Sequence, residues 1–451
     1  MLGLACAEMQ FLSAIAACVL LLSSTLAHLP KDEKLLQQQP FVQESSDDLS
    51  SIISSSPLLS LHRALVEIQS ISGNELSVGK LVVSTLEAHN FTVTTQEVPD
   101  PNNKEAKRWN IYATPDSNQN LHPAIKHDTR KWGLTKSTKP KVLLTSHIDT
   151  VPPFIPYSLS HSKSSRKQED VIIAGRGTVD DKACVAAQII ATLNLLGNPP
   201  KNFKPSDIAL LFVVSEETNG SGMHYFSDSD LYRSIKDSLK AIIFGEPTER
   251  KLASGHKGIS MAHIIAKGRA GHSGYPWLFK SANSMIIPAL MVLDKLGDLL
   301  PEEGGLPRSK EFGNSTVNVG YISGGVAANV IPAHAEAKVA FRLAGGTTET
   351  VKATILNAIH GADPDDELEV DIFQGYGPVP LDTDVDGFES MIVNYGTDVP
   401  NLDVDTSKVK RYLYGPGSIL VAHGDDEALT VGDLEAAVGD YEKLIKHGLS
   451  L

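Results

Sequence analysis

Several apolar runs in this sequence end at a side chain that can bind a metal ion. Short apolar runs bounded by polar residues are typical of buried strands. In open α/β sheets, binding sites form beyond the carboxyl ends of the strands. The pattern therefore predicts a sheet with a polar site along one edge. The runs and the residues after them are 142–146 with His147 and Asp149, 208–215 with Glu216 and Glu217, 241–245 with Glu246, and 418–422 with His423.

The stretch 174–182, A-G-R-G-T-V-D-D-K, adds two carboxylates to this set. Asp180 and Asp181 follow a glycine-rich turn and precede an apolar, helix-like run that Gly197 ends. Adjacent acidic residues alone are usually solvated. Because this pair accompanies the residues that end the apolar runs, we interpret the whole set as an active site.

Length and composition describe a soluble globular protein with room for two domains. The chain has 451 residues, of which 41 % are hydrophobic and 21 % charged. Its net charge of −14, without a basic stripe, argues against a nucleic-acid partner. The apolar run 11–22 is too short to cross a bilayer. We expect neither a nucleic acid nor a membrane as a partner.

The N-terminus and the glycosylation sequons predict a secreted protein. Residues 1–27 have the apolar run and small-residue cleavage site of a signal peptide, although no Lys or Arg precedes the run. Cleavage would remove Cys6 and Cys18 and leave Cys184 alone, so the mature chain could form no internal disulfide. Three sequons fit a secreted glycoprotein, at Asn90, Asn219 and Asn314.

The periodicity of the sequence predicts a catalytic domain interrupted by a second domain. Residues 28–56 are polar and read as a disordered or processed leader. Alternating strands and helices in 57–256 predict a mixed, largely parallel α/β sheet with helices on both faces. Residues 257–374 follow the order β-α-β-β-α-β of a ferredoxin-like α+β unit, in which Pro288 should kink or shorten the first helix. The catalytic domain resumes at 375–451.

The candidate ligands suit a centre of two divalent metal ions. Such a centre needs one bridging ligand and further ligands for each ion. Zinc suits mixed imidazole and carboxylate ligands, and cobalt or manganese would fit similarly. Asp425, Asp426 and Glu427 compete with His423 as ligands. The predicted assignment is Asp180 as the bridge, His147 and Glu246 for one ion, and Glu217 and His423 for the other.

Two further carboxylates have predicted catalytic roles. Glu216 precedes a ligand by one residue, so it can face the attacking water and act as general base. Asp149 lies two residues after His147, on the same side of an extended backbone, and can orient the imidazole through its second nitrogen.

Five motifs, in order, resemble the metal-site motifs of a di-zinc exopeptidase family. This family includes glutamate carboxypeptidase, Gly-X carboxypeptidase, aminoacylase and succinyl-diaminopimelate desuccinylase. Two further motifs, G-R-A-G-H-S-G-Y-P (268–276) and G-G-V-A-A-N-V-I-P (324–332), resemble those of its lid domain. Ser146 and Ala183 depart from the glycine that is usual there. The five metal-site motifs are S-H-I-D-T-V-P (146–152), G-R-G-T-V-D-D-K (175–182), S-E-E-T-N-G-S-G (215–222), G-E-P-T (245–248) and A-H-G (422–424).

The resemblance implies more than the residues alone predict. It implies a cis peptide after Asp180, two zinc ions per subunit, and substrate contacts from His272, Asn329 and Arg342. It also implies a homodimer formed through the lids, in which His272 reaches the neighbouring subunit's metals.

The resulting hypothesis is a secreted zinc carboxypeptidase that hydrolyses a peptide or amide bond next to a free carboxylate. An N-acyl-amino-acid hydrolase or a dipeptidase would use the same site, so both remain alternatives. A catalytically silent peptide- or metal-binding protein would lack the base or a ligand, and this sequence lacks neither.

Overall fold

The computed structural model describes residues 46–100, 103, 105–116, 139–162 and 164–451. The predicted signal peptide, 1–27, and most of the predicted leader lie outside these residues. The chain forms two compact units, Met1–Asp48 and Leu49–Leu451, and of the first only 46–48 are described.

The structure places a helix, α1 (Ser46–Ser55), within the predicted leader. Leu49 and Ile53 are buried in the main hydrophobic core, and Ile52 packs against it. The prediction that residues 28–56 are disordered is therefore wrong for 46–55. These three residues have the spacing of a helical apolar face, which the surrounding serines and aspartates obscured.

The remaining helices are α2 (Pro57–Val66), α3 (Leu76–Ala88), α4 (Lys182–Gly197), α5 (Ser221–Ser227), α6 (Asp230–Ile235), α7 (Ala282–Lys295), α8 (Thr348–Ala362) and α9 (Val431–Ser450). The strands are β1 (Phe91–Glu97), β2 (Trp109–Pro115), β3 (Val142–His147), β4 (Ser158–Ser160), β5 (Ile172–Ala174), β6 (Ile208–Val213), β7 (Ala241–Gly245), β8 (Leu252–His256), β9 (Gly258–Lys267), β10 (Gly271–His272), β11 (Arg308–Ser309), β12 (Gly313–Asn314), β13 (Thr316–Gly324), β14 (Val330–Ile331), β15 (His334–Leu343), β16 (Leu368–Tyr376), β17 (Val379–Pro380), β18 (Ser390–Val393), β19 (Lys410–Tyr414) and β20 (Ala428–Thr430).

The central sheet is mixed and mainly parallel, as predicted. Its strands lie in the order β1-β2-β6-β3-β7-β19. The last four are parallel to one another, and β1 and β2 are antiparallel to their neighbours. Leu144 packs into a core with α2, α3, α4 and α9, whereas Leu143 packs into a second core with α5 and α6. Helices therefore cover both faces of the sheet, which explains why β3 is apolar at successive positions.

The inserted domain is an antiparallel sheet in the order β13-β15-β9-β16. Helices α7 and α8 pack on it, burying Ile286 and Ile355 among other residues. Helix α7 continues past Pro288 to Lys295, so this proline does not shorten the helix. We call this domain the lid. A small sheet, β17-β8-β18, connects the two catalytic segments where the lid begins and ends.

The predicted strand before His423 is absent: residues 418–423 form a turn instead. The last strand of the central sheet is β19, which ends at Tyr414 and is followed by Gly415-Pro416-Gly417. Gly417 has a φ of +74°, and Leu420 is 85 % exposed. The apolar residues of this run imitate a buried strand, but the glycines and proline end the sheet earlier.

Among the residues that the structure describes, no helix combines the length and apolarity needed to cross a membrane.

Candidate metal centre

Three neighbouring parallel strands bring candidate ligands to one edge of the sheet. His147 ends β3, Glu246 directly follows β7, and Glu216 lies just beyond β6. Because β3 lies between β6 and β7, its histidine is flanked by both carboxylates. Ligand atoms of the three residues lie within 4.8 Å of one another. The edge predicted from the apolar runs is thus the edge at which these side chains meet.

Asp180 lies between the two histidines of the set. Its Oδ1 is 3.0 Å from His147 Nε2, and its Oδ2 is 3.2 Å from His423 Nε2. Burial would raise the pKa of Asp180, but the hydrogen bonds from His147 and His423 outweigh it and hold the pKa well below its usual range. The Asp180–Asp181 peptide is cis, as the resemblance implied. This placement is the one a bridging carboxylate requires.

The hydrogen bonds of His147 leave Nε2 facing the carboxylates. Its Nδ1 is 3.0 Å from the carbonyl oxygen of Asp149, so the Nδ1 proton is donated there. The Asp149 carboxylate is farther away, with Oδ1 at 3.5 Å from the same nitrogen. The residue predicted to orient the imidazole does so mainly through its backbone.

The Asp149 side chain instead contacts the backbone of the Glu216-Glu217 pair. Its Oδ1 accepts from the amide of Glu216 at 3.1 Å, and its Oδ2 from the amide of Glu217 at 3.3 Å. The Ser72 hydroxyl also donates to Oδ2, at 2.7 Å. Asp149 is fully buried, so its carboxylate holds the backbone of both glutamates in place.

The site concentrates more buried negative charge than the neighbouring histidines neutralise. Burial raises the pKa of Glu217 to about 7, although hydrogen bonding to His423 opposes the shift. Burial, reinforced by the charges of other carboxylates, also raises the pKa values of Glu216 and Glu246 well above the usual range. Hydrogen bonds to Asp180 and Glu217 raise the pKa of His423 to about 10. Buried carboxylates at this density need cations.

The predicted competitors of His423 are not placed as ligands. Asp425 and Asp426 are exposed. Glu427 is buried, and its carboxylate accepts from Arg176 and from three backbone amides. His423 Nε2 lies 3.0 Å from Glu217 Oε2, so the histidine is the residue of this segment that joins the cluster.

Two of the predicted substrate contacts lie together on the lid. His272 on β10 pairs with Val330 on β14, and the amide of Ser273 donates to the carbonyl of Asn329 at 3.1 Å. His272 and Asn329 are both exposed. The His272 Nδ1 accepts from the amide of Gly274 at 3.0 Å, which orients the ring within the lid.

Arg342, the third predicted contact, lies beside the catalytic domain at the end of β15. A β-carbon built on Gly396 would lie 3.3 Å from Arg342 Nη1 and 2.5 Å from the Tyr376 hydroxyl. Burial and then the charge of Glu216 raise the pKa of Tyr376, and the Arg342 guanidinium opposes that shift. Tyr376 therefore lies near both Arg342 and Glu216 within one chain.

The lid and the full chain both match known proteins. Residues 254–367 match the family model described as a peptidase dimerisation domain. A protein of Neosartorya fischeri named "Probable carboxypeptidase" is 50 % identical over 418 residues, covering 91 % of this chain and 90 % of the relative. The chain belongs to the M20 family of metallopeptidases. Sequence motifs, fold and relatives agree on this family.

Solved structures share the fold of this M20 peptidase at low identity. A tripeptidase from Staphylococcus aureus has a TM-score of 0.64 at 18 % identity, covering 89 % of this chain and all of its own. An M20 family metallo-carboxypeptidase from Sulfolobus solfataricus has a TM-score of 0.62 at 16 % identity, covering 88 % and 100 %.

Sequence reasoning missed several residues around the site of this M20 peptidase. Thr397 and Asp398 line a cavity with His147, Glu216 and Glu246. Asp398 is buried, and this burial raises its pKa to about 7. The available signal was a Thr-Asp pair directly after Gly396.

His256 contacts this cavity through Thr397. Its Nδ1 is 3.0 Å from the carbonyl oxygen of Lys257, and burial lowers its pKa to about 4. The neutral ring therefore donates from Nδ1, and Nε2 accepts from the Thr397 hydroxyl at 3.1 Å. His256, at the start of the lid, thus orients the Thr397 hydroxyl, which lines the candidate active site.

Proposed function

We propose that this M20 peptidase is a secreted carboxypeptidase that uses two zinc ions per subunit. The observation that carries the proposal is the position of Asp180 between His147 and His423, with Glu217 and Glu246 beside them. Two imidazoles and two further carboxylates around one central carboxylate fit a shared two-ion site.

The residues fit the metal ions in both ligand chemistry and charge. Asp180 would bridge, His147 and Glu246 would hold one ion, and Glu217 and His423 the other. When bound, the ions would polarise the scissile carbonyl and acidify a water molecule. Glu216 is placed at the cavity to accept the proton of that water and return it to the leaving amine.

We expect purified protein to contain about two zinc ions per chain. Chelation should abolish hydrolysis and lower the melting temperature, because the buried carboxylates then repel one another without a compensating cation. Elemental analysis and thermal unfolding would measure both effects, with zinc addition as the control for reversibility. Metal-free protein with full activity would contradict the proposal.

The place of Arg342 favours a substrate with a free carboxylate. A guanidinium binds a carboxylate through two parallel hydrogen bonds. The Tyr376 hydroxyl lies against the same glycine as Arg342 and is hydrogen-bonded to the backbone of Thr397. This arrangement supports a role for Arg342 as the carboxylate anchor that removal of a C-terminal residue requires.

Gly396→Ala tests this anchor. The new methyl group would overlap the Tyr376 hydroxyl and crowd Arg342, so we expect kcat/KM to fall about 10–100-fold, mostly through KM. Gly439→Ala, whose added methyl meets nothing within 4 Å, is the matched control. For substrates with a C-terminal amide, which cannot use the anchor, Gly396→Ala should have nearly the same kcat/KM as the wild type. An equal loss for free-acid and amide substrates would place the anchor elsewhere.

Blocked dipeptides, N-acyl amino acids and free dipeptides would distinguish the three related activities. The carboxypeptidase proposal predicts preference for N-blocked peptides with a free C-terminus. Preference for N-acyl amino acids or unblocked dipeptides would favour one of the alternatives on the same site.

Secretion is proposed from the sequence of residues 1–27. The three sequon asparagines, Asn90, Asn219 and Asn314, are all exposed, so glycans could be attached without unfolding. Asn219 lies two residues after Glu217, and a glycan there would stand near the site entrance.

We further propose that the lid forms a homodimer. Strand β13 is an edge strand of the lid sheet, and its neighbour in space, α7, leaves Met291 67 % exposed. Ile322 on β13 is 62 % exposed. An open strand edge with exposed apolar side chains is suited to pairing with a second copy.

A further inference from the structure

A buried ion pair, Arg176–Glu427, connects the loops that carry two of the candidate metal ligands. Arg176 Nη1 is 2.5 Å from Glu427 Oε2, and both side chains are almost completely buried. Arg176 lies in the loop before Asp180, whereas Glu427 follows His423. The two residues are 251 positions apart in sequence, so neither loop could be fixed in this way by local structure.

Glu427 holds the backbone of the Asp180 loop. Its Oε1 accepts from the amides of Gly177 at 2.9 Å, Val179 at 3.0 Å and Asp180 at 3.2 Å. Gly177 has a φ of +87°, a conformation that glycine adopts readily and that turns its amide towards the carboxylate. One oxygen atom thus fixes the loop up to the bridging residue.

Arg176 holds the backbone of the His423 loop. Its Nη2 donates to the carbonyl of His423 at 3.1 Å, and its Nη1 to that of Gly424 at 3.2 Å. His423 has a φ of +66° and a half-exposed side chain. It lies in a turn, so no strand pairing fixes its backbone as it fixes that of His147. The guanidinium supplies that support.

We propose that Arg176 and Glu427 are positioning residues that hold Asp180 and His423 at the separation a shared metal site requires. Desolvation offsets most of the attraction within a buried ion pair, so stabilising the fold is not a sufficient role for it. Groups that orient metal ligands typically change metal affinity about 10–100-fold when they are removed. This inference rests on the proposed two-metal function.

Glu427→Gln and Arg176→Lys test the inference through metal binding. In Glu427→Gln, an NH2 group must face either the guanidinium or the three amides. Arg176→Lys keeps the charge but not the planar set of donors. We expect each variant to bind zinc about 10–100-fold more weakly in chelator competition, and the ion held by His423 should be lost first.

The matched control is Asp440→Asn. Asp440 is also buried and lies on α9, where it pairs with Arg250 at 2.9 Å. Its other hydrogen-bond partners, Tyr414 and Lys443, also lie outside both ligand loops. This variant should lose thermal stability and retain wild-type zinc affinity. Should Glu427→Gln fail to fold, Arg176→Lys gives the answer alone.

Zinc affinities of Glu427→Gln and Arg176→Lys no lower than that of Asp440→Asn would overturn the inference. The proposed function would still stand if the wild-type chain binds two ions. Wild-type protein that binds no metal would instead contradict the proposed function itself.

Discussion

Glu216→Gln is expected to keep both metal ions and to lower kcat by about 10²–10⁴-fold, the usual contribution of a general base. The amide keeps the shape of the side chain but accepts no proton. Elemental analysis and steady-state kinetics on the same preparation would separate metal loss from base loss. The melting temperature should not fall, because removing one of several buried carboxylates relieves repulsion.

Glu217→Gln is the matched substitution one residue away. Its carboxylate lies 3.0 Å from His423 Nε2, so its loss should weaken zinc binding at one site and lower activity for that reason. Added zinc should partly restore Glu217→Gln but not Glu216→Gln. The opposite result, an emptied site in Glu216→Gln with both sites filled in Glu217→Gln, would mean that the two roles are reversed. The carboxylates of Glu216 and Glu217 each have an oxygen within 4.8 Å of a ring nitrogen of His147. Because distance alone does not separate the base from the ligand, the two substitutions must be compared.

The position of the site could be predicted because it follows from strand direction. His147 and Glu246 end or directly follow apolar strands that pair in parallel, and parallel strands bring their carboxyl ends to one edge. The order of strands and helices in the lid was predictable for a different reason: strand alternation and helical periodicity are local patterns in the sequence. Each of these features is present within a short window of sequence.

The features that sequence reasoning missed depend on contacts between distant segments. Arg176 lies within a metal-site motif and Glu427 was a predicted competitor of His423, but their pairing joins positions 251 residues apart, which no local pattern predicts. Tyr376 and Gly396 meet at the domain junction, which no periodicity predicts. The turn before His423 was wrongly predicted as a strand because its residues are as apolar as those of a buried strand. Only the exposure of these residues in the structure distinguishes the two.

The second large effect concerns His272, which we expect to act on a neighbouring subunit. An imidazole that stabilises the oxyanion formed during hydrolysis contributes about 10²–10³-fold to kcat, so His272→Ala should be nearly inactive with its metal ions retained. His272 is exposed on the lid and oriented by the amide of Gly274. His263→Ala, on strand β9 of the lid and paired with Glu336, is the control and should remain active.

Mixed dimers decide whether His272 acts within its own chain or across the interface. In a dimer of one His272→Ala chain and one Glu216→Gln chain, action across the interface gives one complete site, with the base from the first chain and the histidine from the second. Random co-refolding should then recover roughly a quarter of wild-type activity, since half of the dimers are mixed and each has one complete site. Mixing Glu216→Gln with the double variant Glu216→Gln/His272→Ala should recover none. Proven mixed dimers without activity would place His272 in its own subunit's site or outside catalysis, because no site in such a dimer would then contain both groups.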